Sequence, residues 1–142
     1  MRLMRSGLPL VLLLSLPMGA QAQAVSAEKL SQALGTPGLK ATLAPKFRPE
    51  QVHQDYDIVD SAGKDMATVT TAPPAYFAEW QKLPGFEPLP GVGQQAFVRP
   101  RIDQVCGRSA RAAACVTLMP MAFPKDKKPT LPQLQAALAT LL

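Results

Sequence analysis

The amino-acid sequence predicts an α+β domain, an antiparallel sheet packed by helices, with elements in the order αββαβββα. Three observations carry that expectation. Val52, Tyr56 and Ile58 alternate with His53, Asp55 and Asp57 at the period of a half-buried strand. Leu131, Leu134, Leu138 and Leu141 recur on one stripe at helical spacing. Turn residues such as Ser61-Ala62-Gly63-Lys64 join neighbouring strand candidates directly, as hairpins do.

Residues 1–24 stand outside that domain. Arg2 and Arg5 precede an apolar run at 8–16, and small and polar residues follow at 17–24, the order of a secretory signal peptide. The run is shorter than the roughly 20 apolar residues that span a bilayer, and no later stretch approaches that length, so no membrane span is expected after cleavage. Ala20-Gln21-Ala22 and Ala22-Gln23-Ala24 are competing small-x-small cleavage sites, the second preferred, and neither is followed by a Cys for acylation. The expected product is a single exported domain over 25–142, periplasmic or secreted.

Within it, Ser26 is placed as the N-cap of a first helix, with Glu28 in the first turn and Gly35 at the left-handed C-terminal position. Ala27, Leu30 and Leu34 form its apolar face. Three Pro and a Gly at 36–50 break any long period, leaving a connecting segment in which only 39–43 is briefly extended. The strand at 52–58 turns through 61–64 into β-branched residues at 66–71. Pro73 and Pro74 stop that strand and open a helix with Tyr76, Phe77, Trp80 and Leu83 as its buried stripe. Residues 83–93, LPGFEPLPGVG, are expected as an ordered loop or polyproline-like strap that divides the domain in two. Strands are expected at 95–99, 101–106 and 115–121, before Thr130 caps the closing helix with Pro132 in its first turn. No residue-level repeat relates the two halves.

Export also decides how the two cysteines are read, because disulfides form and persist outside the cytoplasm. Cys106 and Cys115 are expected to bond across an antiparallel hairpin with Val105 opposite Val116, and residues 107–114 as the loop that carries Arg108 and Arg111 outward. Closing that loop stabilises by roughly 2.5–3 kcal/mol on the chain-entropy account. Charge is uneven: residues 25–98 hold six Lys or Arg against eight Asp or Glu, whereas 99–142 hold seven against two. The basic half suits an acidic partner. Nucleic acid is a poor one, given the compartment and the lack of a basic stretch interleaved with stacking aromatics.

The turn Pro90-Gly91-Val92-Gly93-Gln94-Gln95-Ala96, followed by two strands and a Leu- and Ala-rich terminal helix, resembles a group of small exported bacterial α+β domains. These are secreted lipoproteins and sensor-like ectodomains in which a Pro-Gly-x-Gly-acidic-x-Ala turn leads into a hairpin. The likeness covers the C-terminal half and departs from the group at Gln94 and Gln95, which replace the acidic pair, and in the absent lipobox Cys. It implies helices on an antiparallel sheet and a non-enzymatic envelope role, and it carries over no functional residue.

Four arginines are the best candidates for a binding surface. Arg99 and Arg101 share one face if their segment is extended, Arg108 and Arg111 sit nearby in sequence, and guanidinium groups grip carboxylate or phosphate bidentately. Pro100 limits that segment to an edge or bulge. His53, Asp55 and Asp57 have the one-sided spacing of a strand metal site but are expected as an exposed polar face, and no metal or other cofactor is expected. Asp55, Asp57, Asp60 and Asp65 lack the Gly and closing Glu of a calcium loop. Gly91-Val92-Gly93 leads into a strand and is expected as a turn, not a phosphate cradle. Lys125, Lys127 and Lys128 around Asp126 are expected as a flexible loop. Catalysis is not expected, because the single His has no sequence-placed nucleophile and the cysteines are bonded. The expected function is binding of an envelope or secreted protein through the sheet edge, the proline strap or the basic half. The alternative is binding of a small anionic ligand through the Arg patch.

Overall fold

A computed structural model describes residues 25–142; residues 1–24, expected as a signal peptide with its cleavage sites, lie outside the described residues. The first helix, α1 (Ala27–Leu34), starts where the Ser26 hydroxyl accepts the Lys29 N–H and stops at Gly35, whose φ of 67° suits a residue without Cβ. The last, α3 (Leu131–Ala139), opens with a full capping box between Thr130 and Gln133. Between them lie β1 (Lys40–Leu43), β2 (Gln54–Val59), β3 (Asp65–Ala72), α2 (Phe77–Gln81), β4 (Glu87–Pro88), β5 (Gln95–Arg99), β6 (Gln104–Arg108) and β7 (Ala113–Leu118). All seven strands form one antiparallel sheet in the order β1-β2-β3-β7-β6-β5-β4. The fold is therefore α+β with helices packed on a sheet. Among the described residues no helix is long and apolar enough to cross a membrane.

Side chains alternate across the pleat, so the register assigns each residue to a face. Ile58, Ala67, Val69, Ala96, Val98, Val105, Ala114, Val116 and Leu118 point to the face covered by α1 and α3, where they meet Leu30, Leu34, Leu134, Leu138 and Leu141. Gly107 lies on that face, and a Cβ there would stand 3.1 Å from the Leu138 side chain, so even alanine requires its neighbours to yield by a few tenths of an ångström. The opposite face carries Phe97, Cys106, Cys115 and Ala113, sealed by Phe77 and flanked by Trp80 of α2. Only part of this second face is covered, because α2 is one and a half turns long and packs on β6.

Several local expectations change. The element order gains β1 and β4: the prolines at 37 and 45 flank residues 40–43 and leave their ladder intact, and Pro88 is tolerated because β4 is the sheet edge. Residues 83–93 therefore do not divide the domain, since β4 joins them to the common sheet. Val52 is exposed and the strand begins at Gln54, because the Gln51 side chain turns back to donate to the His53 carbonyl. In the helical stripes, Leu83 and Leu131 are exposed, the first lying past the end of α2 and the second at the first position of α3. The strand expected at 101–106 starts late: Pro100–Ile102 is a 3-10 turn closed by Asp103 at φ 49°, and β6 follows.

The cysteine hairpin has the expected register. Cys106 opposes Cys115, Val105 opposes Val116, and the sulfurs are bonded. Their Cα atoms lie 4.1 Å apart, close to the spacing of a pair without mutual backbone hydrogen bonds. The loop is shorter than 107–114, because the ladder continues to Arg108 opposite Ala113 and the Ser109 N–H closes on the Ala112 carbonyl. Arg108 therefore stands on a strand.

Candidate binding surface

Where α2 ends, the second face of the sheet becomes polar and open. Register places Thr42, Asp57, Thr68, Thr117, Gln104 and Arg99 in one row across six strands. Gln104 joins this row at its covered end, donating to the Thr117 hydroxyl at 2.9 Å and accepting from Arg99 at 2.8 Å. In the neighbouring row the Thr70 hydroxyl donates to Asp55 at 2.7 Å, and His53 Nε2 lies 3.6 Å from the same carboxylate. The His53 ring packs 5.5 Å from Tyr76, which meets Trp80 edge-on. His53, Asp55 and Asp57 thus form a half-exposed polar face. The Thr70 hydroxyl donates to the acid and not to the imidazole. Among the described residues no group of three His, Cys, Asp or Glu is arranged to hold a metal ion.

Among the described residues, the open half ends in an edge with no further strand beside it. The Ala44 N–H donates to the Asp55 carbonyl, so antiparallel alternation turns the backbone groups of Thr42 toward β2 and those of Ala41 and Leu43 away from it. No residue of β1 is buried. Three apolar side chains on β1 and in the connection to β2 are exposed, Leu43 at 55%, Phe47 at 91% and Val52 at 60%. Lys40, Lys46 and Arg48 are interspersed with them in sequence, with Glu50 the one acid of that stretch. At the opposite edge, β4 is two residues long and contains Pro88, which has no N–H to offer.

The structure separates the four arginines. Arg99 is 6% exposed and turned inward: its guanidinium donates to the Trp80 and Leu83 carbonyls and to Gln104, and lies 4.6 Å above the Phe97 ring. Burial lowers its pKa from the ordinary arginine value. It ties the C-terminal end of α2 to the sheet. Arg101 is exposed on the 3-10 turn and shares no strand face with it. Arg108 and Arg111 sit at the other end of the β5–β6 pair, four rungs or about 13 Å away at strand spacing. Arg108 bonds Gln94 and Gln95, and Arg111 donates to the Leu142 carbonyl. Lys128 pairs with Asp103 at 2.8 Å.

Sequence reasoning passed over Phe47 and the edge role of residues 40–43. The available signal was a lone Phe in a polar, proline-flanked stretch, where no period gives it a core to enter. No protein-family model, no curated protein and no solved structure matches the chain.

Proposed function

We propose that this is an exported, non-catalytic protein that binds another envelope or secreted protein, and that the partner adds an extended segment to the edge of β1. The observation that carries this reading is the edge left unpaired among the described residues, with Leu43 exposed on β1 and Phe47 and Val52 exposed in the connection that follows it. Main-chain hydrogen bonds supply affinity in strand addition, and side-chain pockets supply specificity. Lys40, Lys46 and Arg48 favour a segment with apolar residues between acidic ones. The same cations disfavour a second copy, since pairing β1 with itself brings like charges together. The signal-like residues 1–24 and the disulfide support export.

The test places the photo-reactive p-benzoylphenylalanine at position 42 in otherwise native protein and irradiates it in the intact envelope. Ala41→Pro removes an outward N–H and leaves the bonds to β2 in place, so it should abolish the cross-link while folding persists. A cross-linked heterologous protein lost in Ala41→Pro supports the reading. A cross-link to a second copy alone, or one unaffected by Ala41→Pro, overturns it.

A further inference from the structure

A cavity of about 280 Å³ lies on the other half of the sheet, between α2 with its preceding turn and the ends of β5 and β6. α2 and its preceding turn line it with Pro74, Ala75, Phe77, Ala78 and Gln81, and the strands line it with Gln95 and Arg108. No carboxylate lines it. We infer that this cavity is a binding site for a small monocarboxylate with an apolar tail, the head held by Arg108 and the tail laid against Pro74, Ala75 and Ala78.

The chemistry of Arg108 selects the head. No carboxylate pairs with it among the described residues. Its nitrogens reach only neutral amide oxygens, Gln95 at 3.4 Å and Gln94 at 3.2 Å, at or beyond the long end of hydrogen-bond range. A carboxylate would replace these with shorter, charge-assisted and bidentate bonds, and a rotated amide of Gln95 or Gln81 would add an N–H donor. The apolar lining selects the tail. Phe77 is fully buried against Phe97 and holds the floor in place, while Pro74, Ala75 and Ala78 present the apolar surface and the small Ala78 leaves the space open. The volume falls just under the roughly 300 Å³ at which sites for drug-sized ligands begin, so the ligand is small. The basic residues of the original four-arginine patch divide here: Arg108 faces the cavity, while Arg99 is committed to α2.

Trp80, the only tryptophan in the chain, stands 6.5 Å from Phe77 and reports on the site. Titrating the exported chain with hexanoate should change its emission saturably. Acetate, which lacks the tail, and hexanol, which lacks the charge, should each bind at least about tenfold more weakly. Arg108→Gln should weaken hexanoate by about tenfold or more, with Arg108→Lys between it and the native protein. Ala78→Phe fills the cavity from an exposed helix position and should abolish binding with melting unchanged, which keeps the test decisive if Arg108→Gln fails to fold. Absence of saturable hexanoate binding overturns the inference. So does unchanged affinity in Ala78→Phe or in folded Arg108→Gln, or inorganic phosphate binding as tightly as hexanoate. None of these outcomes bears on the β1 edge, which lies across the sheet.

Discussion

The two halves of the sheet are built to different standards of burial. In β7 every residue except Thr117 is buried, with helices on both sides and a disulfide to β6. In β1 no residue is buried, and the face of β2 and β3 away from α1 carries Asp55, Asp57, Thr68 and Thr70. The difference separates two tasks. Apolar area removed from water, at about 25 cal/mol per Å², concentrates stability in β5, β6 and β7. The half with fewer buried contacts is where local opening costs least, and it is the half proposed to take the partner.

If the covered half holds the fold, damage there should be severe. Phe77→Ala empties the space between α2 and Phe97 and should cost about 3–5 kcal/mol, read as a lower urea midpoint with an unchanged slope. Replacing Cys106 and Cys115 together by Ala should cost about 2–4 kcal/mol, measured by calorimetry against the oxidised parent. Thiol titration of the unfolded, unreduced protein should find no free cysteine, because the chain has two and both are bonded.

Arg99 sharpens the boundary between the halves. Arg99→Met keeps much of the contact with Phe97 but leaves the Trp80 and Leu83 carbonyls without their charged donor. It should cost about 1.5–3 kcal/mol and loosen α2, seen as faster amide exchange at residues 77–83 while α3 is unaffected. Phe47→Ser makes the contrasting case. Its side chain is 91% exposed, so chemical stability should change by no more than about 0.5 kcal/mol while partner cross-linking is lost.

What the sequence made legible follows the same division. The caps at Ser26, Gly35 and Thr130 and the Val105–Val116 register could be read because each is fixed by a few neighbouring residues. The Leu134 and Leu138 stripe could be read because period alone determines which face is buried. β4 could not, since Pro88 is compatible with a strand only if that strand is an edge, a fact about the whole sheet. Arg99 resisted for a similar reason. Its partners are carbonyls 16 and 19 residues earlier in the chain, and charge patterning places an arginine outside unless a buried acceptor is known. The proposed binding edge was legible only as a class of surface, because residues 40–43 carry no motif and become an edge when β2 pairs with β3 on its other side.

Amide exchange at β1 tests the central claim most directly, by comparing the free protein with its isolated complex. The Ala41 and Leu43 amides should exchange rapidly in the free protein, since both point away from β2, and become protected in the complex, while β7 remains protected throughout. A stoichiometric complex in which Ala41 and Leu43 still exchange at the free rate would contradict strand addition at this edge.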